Sequence, residues 1–106
     1  MARKTLIYWR DIPSQVLLQA GRQREKVLLS PRFQEAIDRA AMRAGKGSSD
    51  AYLAEWRRVS SAFEAGTDLR ESAAREAQKI ESDYPDERLL ELIRAHGNDS
   101  NQEQSV

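Results

Sequence analysis

The sequence has no cysteine and only one histidine, His96, among its 106 residues. The absence of cysteine excludes disulfides, thiolate metal sites and cysteine nucleophiles, and a single histidine excludes a histidine-rich metal site. No segment approaches the roughly 18 consecutive apolar residues that a membrane-spanning helix needs. The N-terminal residues also lack the apolar stretch of a secretory signal. We therefore expect a cytoplasmic protein without a membrane segment.

The two signs of charge are equal in number, with 17 residues of each sign, but they are unevenly distributed. Residues 1–58 contain 12 lysines and arginines against 6 acidic residues, whereas residues 59–106 contain 5 against 11. Such a split often accompanies an anionic partner for the basic part. It is also compatible with two halves that offset each other's field in the folded state. The length fits one domain, and the 40% of hydrophobic residues is typical of a folded protein.

The N-terminal residues have the pattern of a small antiparallel sheet. Residues 4–10 are largely apolar on both faces, which is typical of an interior strand. Pro13 lacks a backbone donor and is expected to separate this strand from the next. A second strand is predicted over residues 14–20, and residues 25–29 can return as a third short strand after a turn at Gly21.

Three helices are predicted from their capping residues and their apolar spacing. The first occupies residues 31–44, because Ser30 can cap it, a proline follows at the first helical position, and apolar residues repeat at helical spacing. The second begins at Asp68, whose position resembles the start of a capping box, and it ends before Pro85. The third follows over residues 86–95.

Residues 51–59 are compatible with either a strand or a helix. Tyr52 and Trp56 are neighbours on one side in both conformations, because four residues separate them. We prefer a strand, since it would extend the N-terminal sheet. The whole pattern predicts an α+β fold, with a small, mostly antiparallel sheet of three to four strands and about three helices packed on one face. This single domain would occupy residues 1–96, followed by a flexible tail over residues 97–106.

The sequence shows no constellation of residues for catalysis or cofactor binding. His96 lies near the end of the last predicted helix, where the common interpretation is a helix-terminal residue without a catalytic task. The segment 45–49 lacks the spacing of a phosphate-binding loop, and the acidic residues Asp83, Asp86 and Glu87 match no calcium-loop spacing. We therefore predict no catalytic residue, no metal and no cofactor, so that the protein alone would not be an enzyme.

Each of the two tryptophans is followed directly by an arginine. Tryptophan, tyrosine and arginine are enriched at the energetic centres of protein interfaces, because they bury much area and keep a polar group. The predicted partner-binding residues are Tyr8, Trp9, Arg10, Asp11, Pro13, Trp56 and Arg57. The alternative interpretation is that the tryptophans form the core where two strands meet, while the arginines remain solvated.

A second basic segment lies at the predicted hairpin turn. If it is extended, Arg22, Arg24 and Lys26 share a face that could hold phosphates or carboxylates. The predicted anion-binding residues are these three and Arg32, and the candidate ligands are a polyglutamylated folate, a nucleotide or a nucleic acid. We do not expect nucleic acid to be the main partner, because Glu25 interrupts the segment, the pI is about 6.6 and no reader motif is present. The alternative is a hairpin tip whose charges serve solubility.

Three segments of the chain, residues 7–16, 29–42 and 52–58, resemble the small bacterial "virulence factor" domain. The resemblance spans about residues 3–95, and its most distinctive part is the Tyr-Trp-Arg-Asp-Ile-Pro motif at residues 8–13. The chain also resembles the C-terminal part of the conserved virulence factor C proteins, where the domain follows helical repeats.

The resemblance implies no reaction and no catalytic residue. It does imply a partner, because stand-alone members are often encoded beside methylenetetrahydrofolate reductase-like and corrinoid methyltransferase-like proteins. Our leading hypothesis is a non-catalytic protein-interaction module, an accessory small subunit that docks on a larger bacterial enzyme of folate or corrinoid one-carbon metabolism. The second hypothesis is the anion-binding domain described above, and the third is a small homodimer with a structural role.

Overall fold

The computed structural model describes residues 2–64, 66 and 68–98. Within these ranges four strands and four helices follow in the order β1 (Ala2–Trp9), β2 (Ile12–Ala20), β3 (Gln23–Leu28), α1 (Pro31–Arg43), α2 (Ser49–Leu53), β4 (Trp56–Phe63), α3 (Leu69–Asp83) and α4 (Asp86–Arg94). No helix in these ranges is long and apolar enough to cross a membrane. The predicted α+β class is confirmed, with the short helix α2 in addition to the three helices that were predicted.

The four strands form one antiparallel sheet in the order β3-β2-β1-β4. β1 is an interior strand, as its two apolar faces predicted. The expectation that Pro13 separates two strands was wrong, because β2 already begins at Ile12. The β1–β2 pairing passes over Ser14, since Ile7 pairs with Gln15 and Tyr8 with Pro13. A bulge of this kind is one of the few places in a sheet that accept a proline.

The preference for a strand over residues 51–59 was wrong for the first part of that segment. The backbone N–H of Tyr52 donates to the Ser48 carbonyl at 2.9 Å, inside the short helix α2, and the strand begins only at Trp56. It then continues to Phe63, four residues further than predicted. The spacing of Tyr52 and Trp56 fits both conformations, and the Ser-Ser-Ala sequence that follows has no strand signal of its own.

The helices cover the face of the sheet that carries Val16 and Leu18. α3 packs against β2 and β3, whereas α1 packs against β2 and α4. Phe33 and Ile37 are buried on α1 at the predicted helical spacing, and Trp9 joins the same core from the end of β1. Each large side chain buried in this way contributes about 1.5–3 kcal/mol of hydrophobic stabilisation.

The helix ends follow the local sequence signals only in part. α3 begins as predicted, with Oδ1 of Asp68 accepting hydrogen bonds from the backbone N–H groups of Arg70 and Glu71. Ser30 occupies the cap position of α1, but its hydroxyl donates to Glu81 Oε1 at 2.8 Å and does not cap the helix. A carboxylate from α3 therefore stands at the N-terminus of α1, where a negative charge is favourable.

The folded part of the chain includes Gly97, the first residue of the predicted tail. Gly97 is buried, and its carbonyl accepts a hydrogen bond from the backbone N–H of Asp11 at 2.8 Å. This contact joins the end of α4 to the turn between β1 and β2. Residues 99–106 of the predicted tail lie outside the described residues.

Candidate functional site

Alternate residues of the four strands form a face of the sheet that is turned away from the helices. Lys4 marks the opposite, helix-covered face, because its Nζ donates to Glu76 Oε1 of α3 at 2.9 Å. The strand register arranges the outward residues in three rows of four, and none of these side chains is buried. We call this surface the open face; its residues are Arg3, Thr5, Ile7, Gln15, Leu17, Gln19, Arg24, Lys26, Leu28, Arg58, Ser60 and Ala62.

The open face carries four cationic side chains and no carboxylate. The cations are Arg3, Arg24, Lys26 and Arg58, and all four line one shallow cavity of about 400 Å³. Within the described ranges none of them forms an ion pair or a side-chain hydrogen bond. Glu25 also borders this cavity, but it occupies an alternate position of β3, so its side chain belongs to the other face of the sheet. The electrostatic potential over this surface is therefore positive although the net charge of the chain is zero.

The rest of the open face supplies hydrogen-bonding groups and a limited apolar area. The hydroxyl oxygens of Thr5 and Ser60 share a hydrogen bond of 2.9 Å across β1 and β4. Gln15 and Gln19 can donate and accept, and apolar contact comes from Ile7 and from two leucines. The surface can therefore hold carboxylates or phosphates by charge and by neutral hydrogen bonds, and its twelve positions include no aromatic ring on which a base could stack.

The structure brings together only part of the predicted anion-binding set. Arg24 and Lys26 share the open face, as their alternation predicted. Arg22 lies exposed in the turn that joins β2 to β3. Arg32 is elsewhere, because its guanidinium donates to the carbonyl oxygen of Glu81 at 2.8 Å and to that of Tyr84 at 2.5 Å. It therefore closes the C-terminal end of α3, where a cation is favourable.

Glu81 completes this contact between α1 and α3. Its carboxylate accepts from the Ser30 backbone N–H at 2.6 Å, from the Ser30 hydroxyl and from Arg32 Nη2 at 3.0 Å. Burial alone would raise the pKa of Glu81, but the hydrogen bonds from Ser30 and Arg32 outweigh it and hold this pKa below the ordinary value. The group is therefore a charged structural link between the two helices.

Two open-face cations, Arg3 and Arg58, were missed by reasoning from the sequence. They are 55 positions apart along the chain, and only the pairing of β1 with β4 brings them to one surface. In that pairing Arg3 lies opposite Ala62, and Arg58 lies opposite Ile7. The useful signal would have been the alternation of Arg58 with Ser60 and Ala62, had a strand been predicted beyond residue 59.

The predicted partner-binding residues meet at the C-terminal end of β1. We call this surface the Trp-Arg corner; its residues are Tyr8, Trp9, Arg10, Asp11, Pro13, Trp56 and Arg57. Trp9 has 0% of its surface exposed, and its Nε1 donates to the Tyr52 carbonyl at 2.9 Å. The Tyr52 ring stacks on Trp9 and meets Trp56 edge-on, with centroid distances of 5.9 and 5.8 Å. Pro13 is also fully buried. These buried members belong to the core, as the alternative interpretation held for Trp9.

The two arginines of the Trp-Arg corner bind groups of the protein itself. Arg10 donates from Nη1 to the His96 carbonyl at 2.8 Å and from Nη2 to Glu55 at 3.3 Å. Arg57 donates from Nη2 to Asp11 Oδ1 and from Nε to the Arg10 carbonyl, both at 2.8 Å. That this corner contacts a partner stays a prediction, and such a contact would have to use the parts of Arg57 and Trp56 that remain exposed.

Tyr8 lies beneath Arg57, whose guanidinium carbon is 4.6 Å from the ring centroid. Burial, with a smaller contribution from the neighbouring Tyr84, raises the pKa of the Tyr8 hydroxyl, and the charge of Arg57 opposes this rise without cancelling it. The phenol is therefore neutral at physiological pH. Its ring packs against the guanidinium of Arg57.

His96 is exposed and follows α4 with a φ of 62°, a conformation that is uncommon for residues other than glycine. Its carbonyl accepts from Arg10, whereas its imidazole makes no hydrogen bond to the residues that the structure describes. Among those residues no group of three or more histidine or acidic side chains is arranged to hold a metal ion. The open face and the Trp-Arg corner are therefore the surfaces on which function can be argued.

Comparison with curated proteins and with solved structures finds no significant match. A family model described as "Virulence factor" matches residues 7–93, which is most of the chain and includes the Trp-Arg corner, the α1 helix and all of β4. The match agrees with the resemblance of residues 7–16, 29–42 and 52–58. The chain belongs to the Virulence factor family.

Proposed function

We propose that this protein is a non-catalytic binding module that docks onto an acidic surface of a larger protein through its open face. The observation that carries the proposal is the grouping of four unpaired cations on twelve uncovered positions that include no carboxylate. In contrast, the cations of the helix-covered face and of the Trp-Arg corner already have acidic partners, as in the pairs Lys4–Glu76 and Arg57–Asp11.

Carboxylates are the groups that this arrangement suits. A guanidinium presents a planar fork of donors that matches a carboxylate, and three of the four cations are arginines. An exposed ion pair contributes only about 0.2–1 kcal/mol, so a single pair would not hold a partner. Four such pairs on one surface would together contribute about 0.8–4 kcal/mol and change the affinity roughly fourfold to nearly a thousandfold, depending on geometry and salt.

A protein partner fits the open face better than a nucleic acid does. Single-stranded nucleic acids are held on sheets by aromatic rings that stack on the bases, and the open face has none. Its apolar side chains, among them Ile7, Leu17 and Leu28, instead suit contact with aliphatic groups. Leu28 has 65% of its surface exposed and adds to the apolar area that is available for such contact.

The partner class that the family resemblance implies is a larger bacterial enzyme of folate or corrinoid one-carbon metabolism. Under this proposal the chain is an accessory small subunit, and the enzyme presents acidic side chains to the open face. Purified methylenetetrahydrofolate reductase-like and corrinoid methyltransferase-like proteins are therefore the first full-length partners to test, after binding has been established with a defined probe.

The defined probe is poly-L-glutamate, titrated into the full chain while backbone amide resonances are followed by NMR. The open-face variant replaces Arg3, Arg24, Lys26 and Arg58 with glutamine. The matched control replaces four exposed helical cations with glutamine, namely Arg39, Arg43, Lys79 and Arg94. Both variants lose four positive charges, so a difference in their affinities depends on where the charges lie and not on how many there are.

We expect shifts confined to the four strands and an affinity loss of at least about fourfold for the open-face variant, with a loss below about threefold for the control. Binding should also weaken as the salt concentration rises, because exposed charges are screened. Equal losses in the two variants would mean that only net charge matters and would refute the proposal. Tighter binding of an oligothymidylate than of poly-L-glutamate would refute the partner class.

A further inference from the structure

β4 is an exposed edge of the sheet. It pairs with β1 on one side, and within the described part of the chain no strand pairs with its other side. The residues between Trp56 and Phe63 are all exposed, on both faces of the strand, and Val59 has 42% of its surface accessible. The register with β1 runs without interruption over all eight residues. Such a strand offers unpaired backbone donors and acceptors to another chain.

The other edge of the sheet, β3, is better protected. It is shorter, with six residues, and α3 packs against it. Its central residues Arg24, Glu25 and Lys26 alternate in charge, which discourages a second strand from pairing there. The charges of β4 are confined to Arg57 and Arg58 near its beginning, and its second half contains the small, uncharged residues Ser60, Ser61 and Ala62. The two edges therefore differ in their readiness to accept another strand.

We infer that an extended acidic segment of the partner protein adds to β4 as a fifth strand and thereby enlarges the open face. This inference rests on the proposed function, because it takes the acidic partner from there and adds the way in which that partner binds. Strand addition derives its affinity from main-chain hydrogen bonds and its specificity from alternate side chains. β4 supplies the first of these, and the open face supplies the second.

The positions of the cations set the pattern of the added segment. Its outward side chains would lie beside Arg58, Ser60 and Ala62, the open-face residues of β4. An acidic residue next to Arg58 meets that guanidinium directly. Arg3 lies one strand further in, about 10 Å from the added strand, and only the Ala62 methyl group stands between them. A long acidic side chain and the flexible arginine can meet across this gap.

The opposite side of the added strand faces different chemistry. There β4 presents Arg57, Val59 and Ser61, of which Arg57 is already paired with Asp11. An apolar or β-branched residue beside Val59 would cover its exposed side chain. The expected segment therefore has glutamate at every second position and small or β-branched residues between. This pattern distinguishes it from a uniformly acidic tail, which the four cations could also attract.

The test uses the full chain and synthetic peptides of one composition. The first peptide alternates glutamate with valine or threonine, and the second has the same residues with all glutamates grouped at one end. The third keeps the alternating order but carries N-methyl groups on every second backbone nitrogen, which removes the donors along one edge and leaves the charges intact. Affinity is measured by fluorescence anisotropy, and the protection of β4 amides is measured by hydrogen exchange.

We expect the alternating peptide to bind at least about tenfold more tightly than either of the other two. The N-methylated peptide loses several main-chain hydrogen bonds, and the grouped peptide no longer places its glutamates on one side of the strand. Protection of amides within Trp56–Phe63 should rise only with the alternating peptide. Equal binding of all three peptides, with the open-face variant impaired for each, would refute strand addition and leave the proposed function standing. No difference between the open-face variant and its helical control with any peptide or with poly-L-glutamate would refute both.

Discussion

Gly97 lies against the indole of Trp9 so closely that a β-carbon on the glycine would stand 2.9 Å from the Trp9 Cζ3 atom. Its φ of +90° is also a conformation that side chains rarely adopt. The buried aromatic residue of the family's distinctive motif is thus held from the far end of the chain. The Asp11 N–H to Gly97 carbonyl hydrogen bond fixes the same contact through the backbone.

Replacing Gly97 with alanine should therefore destabilise the fold by about 2–4 kcal/mol, from backbone strain and from the clash with Trp9. The matched control is Gly21→Ala, where φ is +61° but, apart from Gly21 itself and its two chain neighbours, no described atom lies within 4 Å of the added β-carbon. That variant should lose only about 1 kcal/mol. Urea unfolding of both variants measures the difference, and equal losses would show that the Trp9 contact does not matter.

The contact of Glu81 between α1 and α3 should make the free energy of unfolding depend on pH. The pKa of Glu81 is lowered in the folded chain, so its contribution is fully present above the unfolded pKa and is lost as the pH falls through the folded value. Glu81→Gln should cost about 1–2 kcal/mol near neutral pH. The difference between the variant and the wild type should shrink as the pH falls below the ordinary range of a glutamate pKa.

Glu71→Gln is the control for this effect. Glu71 pairs with Arg75 four residues away on the exposed surface of α3, and such a pair contributes about 0.3–0.5 kcal/mol. Urea unfolding at several pH values distinguishes the two sites. A Glu81→Gln difference that stayed constant from neutral to acidic pH would contradict a role of the charged carboxylate.

Arg57 and Arg58 are sequence neighbours whose side chains lie on opposite faces of the sheet, because successive residues of a strand face opposite sides. Arg57 binds Asp11, whereas Arg58 belongs to the open face. Arg57→Gln loses the hydrogen bonds to Asp11 and to the Arg10 carbonyl and should cost about 1 kcal/mol of stability. Arg58→Gln removes no hydrogen bond or ion pair to the residues that the structure describes and should change stability by less than about 0.5 kcal/mol.

Binding of poly-L-glutamate should show the reverse order for this pair. Arg58→Gln should weaken it about two- to fivefold, the value of one exposed ion pair, whereas Arg57→Gln should leave it nearly unchanged. Chemical denaturation and anisotropy titrations on the same two samples give both quantities. If Arg57→Gln were the more damaging change for binding, the Trp-Arg corner and not the open face would be the docking surface.

Local signals in the sequence predicted the elements whose causes are local. The Ser30-Pro31 start and the spacing of Phe33 and Ile37 predicted α1, and Asp68 predicted the start of α3. β4 was only partly foreseen, because Ser60 and its neighbours become a strand through their pairing with β1 and not through their own propensity. The confirmed parts of the fold are therefore those in which a few consecutive residues contain all of the information.

The same reasoning explains why the candidate site was half predicted. Arg24 and Lys26 alternate within one strand, so their shared face can be derived from spacing alone. Arg3 and Arg58 join them only through the register of β1 with its two neighbours, which no local pattern determines. The contacts of Arg32 with α3 could not be anticipated without the packing of the helices.

Arg32 and Arg24 were both predicted to bind anions, but the structure places Arg24 on the open face and Arg32 at the contact between α1 and α3. Comparing them therefore tests which of the two places binds anions. Arg32→Gln removes the donors to the Glu81 and Tyr84 carbonyls and to the Glu81 carboxylate. We expect it to cost about 1–3 kcal/mol of stability and to leave the affinity for poly-L-glutamate unchanged. Arg24→Gln should keep stability within about 0.5 kcal/mol and weaken binding about two- to fivefold, because its guanidinium forms no hydrogen bond or ion pair with the described residues. The two variants lose the same charge, so their separation in unfolding and anisotropy measurements depends only on where the guanidinium stands. A folded Arg32→Gln protein that binds poly-L-glutamate less tightly than Arg24→Gln does would move the anion site from the open face to the junction of α1 and α3.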